Sequence, residues 1–372
     1  MAKKYNSDTD VPFMSLFFTV ITKSHLPYAR LLHERLRLHE DDFEFLAFLI
    51  DGEDGCVDFK REAFPVVRAE DFLPAEQFRW MRFWYTANEF CNAAKAFAHQ
   101  YILQHRSDPC WFYLDSDLYP VASLAPAFAA LEGHDLLITP HCLDPIVSSE
   151  AMIGETSLLE MGVFNGGFLG LRRGLATERF VRWFADVLYA GCLDDRPNLF
   201  VDQKWLNLAP CLVERTHVWR HPGANVAFWN LHERPLCGTS PWLTILGQPL
   251  LFSHFSALQP ENPEGVTAYN VKGRKAPPAW NELAHAYAQG IQRHGWSTAR
   301  TWPYTYSHYP SGHPVPRAHR LACNRLHRAT TARDADPFTR ESVWAAAVRA
   351  ERPPWWRERL TGLFARDPSD LA

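Results

Sequence analysis

Trp111-Phe112-Tyr113-Leu114-Asp115-Ser116-Asp117 is the stretch on which the reading of this chain turns. Four large apolar residues run straight into two carboxylates one residue apart. The first four have the composition of a buried strand, and the change at Asp115 marks its end. In extended backbone residues 115 and 117 project to one side, so both carboxylates can approach one cation. Open α/β sheets bind ligands at the carboxyl ends of their strands. Carboxylate ligands suit Mg²⁺ or Mn²⁺. A bare D-x-D is common by chance, and two loop aspartates capping a helix read the same way.

The flanking segments supply the rest of the fold. Ser15 to Ile21 reads as a buried strand, Pro27 to Leu38 as a helix, and Phe43 to Ile50 as a second strand ending at Asp51-Gly52. This strand-helix-strand opening begins an α/β domain with a parallel sheet. A long helix is expected from Arg79 to Gln104, and a fourth strand from Leu136 to Thr139. Gly162 to Leu171 reads as a strand that another backbone or a ligand approaches closely. Arg179 to Tyr189 reads as helix, Asp202 opens another, and Pro249 to Phe255 is a late strand carrying His254. After about residue 260 Pro, His, Trp and Arg become frequent, and helices alternate with loops. Trp355 to Arg359 reads as part of an amphipathic helix. The expectation is an α/β catalytic domain over 1–265, with a mostly parallel central sheet, and a helical extension over 266–372.

Composition bounds the function. The chain has 372 residues, 47% hydrophobic and 14% aromatic, enough for a sizeable core. A net charge of −4 gives no general affinity for polyanions, so nucleic acid is not an expected partner. The charge is uneven: residues 266–372 hold 16 Lys/Arg against 8 Asp/Glu, and the remainder 22 against 34. A basic tail fits an anionic membrane surface or a lipid-diphosphate acceptor, and it equally fits a solvated helix surface. The eight cysteines form no C-x-x-C pair, so reduced thiols in a cytoplasmic protein are expected and zinc is not. The early apolar run from Val11 to Ile21 is too short to span a bilayer. The expected location is the cytoplasm, with contact at the inner membrane face at most peripheral.

Several segments, in order, resemble bacterial GT-A glycosyltransferases with a D-x-D motif, and within them the glycogenin/lipopolysaccharide galactosyltransferase-like group. Tyr85 to Lys95 resembles the helix before the acidic motif, and Trp111 to Asp117 the D-x-D strand end. Phe164-Asn165-Gly166-Gly167 resembles the F-N-x-G strand. Asp202-Gln203 to Asn207 resembles the D-Q-x-x-x-N helix start. Gly223 to Leu231 and Leu251 to Ser256 resemble late donor-site segments. The resemblance covers residues 15 to 260. It implies a Rossmann-like GT-A fold and transfer of a sugar from a nucleotide-sugar donor to a hydroxyl of a bacterial glycan or glycolipid, with retention. It further implies Asp115, Asp117 and His254 as ligands of Mn²⁺, or of Mg²⁺. Donor contacts are implied for Thr19, Asp51, Lys95, Asp115, Asn165, Gly166, Asn225 and Asn230. Asp202 and Gln203 are implied to face the reacting sugar or acceptor. The chain departs from the group at Ala257, where a glycine is usual, and lacks the following lysine.

Each role has a plain alternative. Lys95 fits a solvated helix face, Asp202 an N-cap, and His254 a hydrogen-bonded buried histidine. Asn225 and Asn230 fit loop shaping, and Asp51-Gly52 a turn. Haloacid dehalogenase phosphatases also place D-x-D after a strand, but follow it with a small residue where Tyr119 stands here. Nucleotidyltransferases need a glycine-rich loop, and Thr22 to His25 contains no glycine. A binding subunit derived from a transferase is the alternative outside catalysis.

Overall fold

The computed structural model describes residues 5–6, 9–12, 15–147, 151–239, 242–269, 275–329 and 335–350. Trp355 to Arg359 lies outside them. Residues 1–306 form one compact unit and residues 307–372 a second.

The first unit is built on strands β1 (Ser15–Ile21), β2 (Phe43–Leu49), β3 (Val66–Arg68), β4 (Cys110–Leu114), β6 (Leu136–Pro140), β7 (Phe164–Arg172) and β8 (Thr216–Val218). They lie in the order β8-β6-β7-β4-β1-β2-β3. All neighbours are parallel except β7, which runs antiparallel to both β6 and β4. The α/β class and the mostly parallel sheet expected from the sequence are what the chain adopts. β1 is buried over its whole length, as strands covered on both faces are.

Helix α1 (Leu26–His39) follows β1 and buries Leu26, Leu31, Leu32 and Leu36. The helix expected from Arg79 to Gln104 is instead two: α2 (Ala75–Trp84) and α3 (Ala87–His105). Thr86 breaks them. Its hydroxyl accepts from the Glu89 backbone, and the Glu89 carboxylate accepts from the Thr86 N–H. This reciprocal capping satisfies N–H groups that a helix start leaves open, and T-x-x-E was the signal for it.

The alternation along β4 sets up the site. Phe112 and Leu114 join a core cluster with Phe17, Phe45 and Phe168. Trp111 and Tyr113 point the other way, at α3. The Trp111 indole donates to His99 Nδ1 at 2.9 Å, and one helical turn earlier Lys95 Nζ lies 4.7 Å from the centre of the Tyr113 ring. Residues four apart on α3 thus meet residues two apart on β4. From that position Lys95 Nζ also reaches Asp115 Oδ1, at 3.3 Å.

The late strand expected over Pro249–Phe255 is split. Gln248–Pro249 belongs to a small three-stranded sheet, and only Phe252–His254 pairs with the segment after the carboxylates. That segment, β5 (Leu118–Pro120), runs antiparallel to β9 (Phe252–His254), with His254 opposite Leu118. The helix expected to open at Asp202 is a turn leading into a 3-10 segment, Trp205–Leu208. Helix α4 (Ala125–Leu131) packs against β7, and helix α5 (Leu175–Gly191) against α3. Helix α6 (Pro278–Arg293) brings Trp280 and Tyr287 onto Phe255, completing a second buried cluster. In the second unit α7 (Arg317–Ala329) packs against α8 (Glu341–Ala350). No helix among the described residues is long and apolar enough to cross a membrane.

Candidate functional site

Asp115 and Asp117 do not converge by extended alternation. The chain turns after β4, with the Leu118 N–H donating to the Asp115 carbonyl at 3.0 Å. The pairing of β5 with β9 then delivers His254 to the same place. The Phe255 N–H donates to the Asp117 carbonyl at 3.1 Å, which locks the register. His254 Nε2 lies 3.2 Å from Asp117 Oδ1 and 3.9 Å from Asp115 Oδ2. Ligand atoms of the three residues all lie within 4.8 Å of one another.

His254 is oriented by a residue the sequence had assigned to the donor. Asn225 Oδ1 sits 3.1 Å from His254 Nδ1. A carboxamide oxygen only accepts, so Nδ1 carries a proton, and Nε2 is the nitrogen turned to the carboxylates. Asn225 has φ of +56°, a left-handed conformation that asparagine tolerates better than most residues. Its own amide donates to Thr139 Oγ1 at 3.3 Å. Asn230 closes the turn around it, donating to the carbonyls of Asn225 at 3.0 Å and His141 at 2.8 Å.

Two glycines keep this room open. A Cβ on Gly167 would meet Asp115 Oδ2 and His254 Cε1, each at 2.6 Å, and one on Gly166 would meet Asp202 Oδ2 at 2.8 Å. The register between β6 and β7 shifts here: Ile138 faces Leu169, but Thr139 faces Asn165. The extra residues of β7 bulge toward the carboxylates and bring the glycines with them. Gly167→Ala is expected to weaken Mn²⁺ binding about 10–100-fold, the cost of disturbing residues that orient ligands. Calorimetric titration of the folded variant with Mn²⁺ checks this; unchanged affinity would show that the glycine is not needed for the ligand geometry.

Opposite stands a buried ion cluster. Lys95 Nζ lies 3.0 Å from Asp202 Oδ2 and 3.3 Å from Asp115 Oδ1, and donates to the Gly166 carbonyl at 3.1 Å. Burial works against the Lys95 charge, but the two carboxylates outweigh it and raise its pKa. Burial raises the Asp202 pKa to about 6 despite Lys95. The Tyr113 hydroxyl donates to Asp115 Oδ1. Burial opposes charge on Asp117 and on His254 as well. Their mutual attraction prevails, lowering the pKa of Asp117 and raising that of His254.

Gln203 is fixed on the same wall. Its Oε1 accepts from Asn165 Nδ2 at 3.2 Å and from the Gly166 N–H at 3.3 Å, and its Nε2 donates to the Met161 carbonyl at 3.0 Å. The Asn165 side chain also accepts from the Gly167 N–H at 3.0 Å.

These groups line a cavity of about 490 Å³, with Lys95, Asp115, Asp117, Asn165, Gly166, Asp202, Gln203 and His254 all in its wall. Residues not foreseen for the site complete it: Thr22, His25, Tyr28, Asn88, Asn92 and Tyr304. Ala257 also lines it, at φ of +54°. That backbone region favours glycine, which gives a physical reason for the glycine usual there in the resembled group. A larger groove of about 980 Å³ lies beside Arg30, Glu34 and Glu62. Its charges are engaged in pairs such as Arg30–Glu62 and His294–Glu34, so size does not make it the reactive centre.

Four expected donor residues are outside that wall. Thr19 is fully buried in β1. Asp51 is a brace: it accepts from the Gly52 N–H at 2.9 Å and the Thr305 N–H at 3.0 Å, and lies 3.7 Å from Lys23 Nζ. Asn225 and Asn230 act behind His254. Lys95 is not on a solvated face, and the Asp202 carboxylate turns inward to Lys95.

Comparison with known proteins gives the following. No family profile matches the chain. YfnD of Bacillus subtilis (strain 168), an uncharacterized protein, is 25% identical over 255 residues, 64% of this chain and 76% of that one. The glycosyltransferase GlyE of Streptococcus pneumoniae TIGR4 is similar in structure with a TM-score of 0.44 at 11% identity, covering 80% of this chain and 67% of that one. The galactosyltransferase LgtC, solved with donor and acceptor sugar analogues, has a TM-score of 0.42 at 15% identity, covering 73% of this chain and 96% of that one.

Proposed function

We propose that the protein is a metal-dependent glycosyltransferase that moves a sugar from a nucleotide-sugar donor to a hydroxyl of a bacterial glycan or glycolipid. The observation that carries the reading is the convergence of Asp115, Asp117 and His254 in one cavity, facing the Lys95–Asp202 pair. Two carboxylates and an imidazole suit Mn²⁺, with Mg²⁺ second. The fit is supported by the Asn225 contact, which occupies Nδ1 and leaves His254 Nε2 as the nitrogen a metal would take in place of a proton, and by the space Gly167 keeps open. A bound divalent cation would supply Lewis-acid stabilisation of the charge on a departing nucleoside diphosphate.

The side chains do the remaining work. Lys95 holds Asp115 in place at 3.3 Å, and presents positive charge toward a diphosphate. Asn165 and Gly166 border the donor sugar, held by Gln203. Asp202 is the candidate to face the reacting centre. As the base of an inverting route it is poorly placed, because Lys95 engages it at 3.0 Å. We therefore assign retention, with the acceptor proton passing to an oxygen of the leaving phosphate. The basic 266–372 region is assigned to an anionic surface or a lipid-linked acceptor, at the cytoplasmic face of the membrane.

A thermal-shift panel of nucleotide sugars, with and without Mn²⁺, tests the reading. A donor present at about 100 times its Kd stabilises the native state by about 2.7 kcal/mol. One donor class is expected to raise the melting temperature only when Mn²⁺ is present, and NMR of the transfer product then reads the anomer. No shift across the panel would remove the donor-site reading, and an inverted product would remove retention.

A further inference from the structure

A second group of metal-ligating side chains lies outside the cavity. Cys142 follows β6, and His232-Glu233 close the turn that begins at Asn225. Their Sγ, ring nitrogen and carboxylate oxygen all lie within 4.8 Å of one another. Sequence spacing gave no hint of it, because a gap of about ninety residues separates the cysteine from the other two.

We propose that Cys142, His232 and Glu233 form a structural zinc site, distinct from the Asp115–Asp117–His254 centre, with water as the fourth ligand. Thiolate with imidazole and carboxylate, in a set of three, is a donor set that zinc takes in tetrahedral geometry and that Mg²⁺ and Mn²⁺ do not favour. The independent observation is His232. Both of its ring nitrogens are buried and neither has a hydrogen-bond partner. Polar atoms buried without partners are unfavourable, and a metal bond satisfies one of the two.

Glu233 has capacity for the role. Its carboxylate accepts from three donors: the Leu143 N–H, shared at 2.8 and 3.0 Å, the Asp144 N–H at 2.9 Å, and Arg234 Nε at 3.3 Å. Each oxygen takes two of these contacts, and a metal bond would replace one arm of the shared Leu143 contact. Without metal the Cys142 thiol donates to the Trp229 carbonyl at 3.7 Å, and burial together with Glu233 pushes its pKa up to about 12. Zinc would displace that proton to solvent. The thiolate and the carboxylate then bring two negative charges to the ion, the carboxylate also staying paired with the buried Arg234. The site would also have a purpose. It would tie the segment after β6 to the turn of residues 225–233, the same two segments joined by Asn230 and the His141 carbonyl, and so hold the turn from which Asn225 orients His254.

The test is cobalt titration of the full-length, chelator-stripped protein. Only a sulfur ligand gives a thiolate-to-cobalt charge-transfer band, so the signal separates this site from the carboxylate centre. The band is expected to saturate at one equivalent of Co²⁺. It should persist in Asp117→Ala, disappear in Cys142→Ser, and diminish in His232→Gln. Zinc affinity, read by competition with a chromophoric chelator, should fall by at least about 100-fold in Cys142→Ser, since loss of an outer-shell partner alone costs about 10–100-fold. No band in the wild-type protein, or a band that survives in Cys142→Ser, would overturn the proposal. The wild-type titration decides the matter even if that variant folds poorly.

Discussion

Asp117→Ala is expected to lower sugar transfer by about 10³-fold or more while the protein keeps its fold. The carboxylate is one of two that meet at His254, and its nearest charged partner is that imidazole, at 3.2 Å. Losing it removes a ligand and much of the Lewis-acid stabilisation, which is worth several kcal/mol; a factor of ten in rate is about 1.4 kcal/mol. The fold survives because His254 keeps its bond to Asn225 and can remain a neutral imidazole. The core residues around it, Phe252 and Phe255, are untouched. Initial rates with the donor found by thermal shift, a Mn²⁺ titration and a circular dichroism spectrum check the three parts. Near-native rates, with Mn²⁺ present or chelated, would show that this cluster does not hold a catalytic metal.

The sequence made the centre of the sheet and one half of the site legible, and the reason is locality. Trp111 to Asp117 carries strand, strand end and carboxylates in seven residues. The Thr86–Glu89 break was equally local and was missed because aromatic and alanine periodicity runs across it. The other half of the site depends on pairings between distant segments. His254 reaches Asp117 only because β9 pairs with β5 in one register, and no sequence pattern fixes that register. Asn225 is the clearest case. The resemblance implied a donor contact for it, with loop shaping as the alternative, and its left-handed backbone and contact with Nδ1 give it work behind the histidine. Lys95 stood out within its motif, but its triple contact with Asp115, Asp202 and Gly166 requires the antiparallel run of α3 over β4. Ala257 was visible as a departure, and only the backbone explains why a glycine is usual there.

Lys95→Met is expected to destabilise the protein by about 3–5 kcal/mol near neutral pH, the cost of removing one partner from a buried ion pair. The side chains of Lys95 and Asp202 are 2% and 1% exposed, so solvent screens little of the loss. Methionine fills a similar volume, which leaves an uncompensated carboxylate as the main defect. The pH dependence identifies that defect. With Lys95 present the Asp202 pKa is already raised by burial, to about 6, above the usual carboxylate range, and removing the lysine raises it further. A carboxyl with a higher pKa in the folded state binds more protons there than in the unfolded state. Stability therefore falls as pH rises from about 4 through the folded value, and is recovered on acidification. The variant should melt closer to the wild type at pH 5 than at pH 8. Adding Asp202→Asn should restore part of the loss at pH 8 and flatten the pH dependence. That double-mutant cycle separates a charge effect from lost packing. A loss at pH 8 below about 1 kcal/mol, or one that does not change with pH, would mean that the buried carboxylate is not what Lys95 compensates.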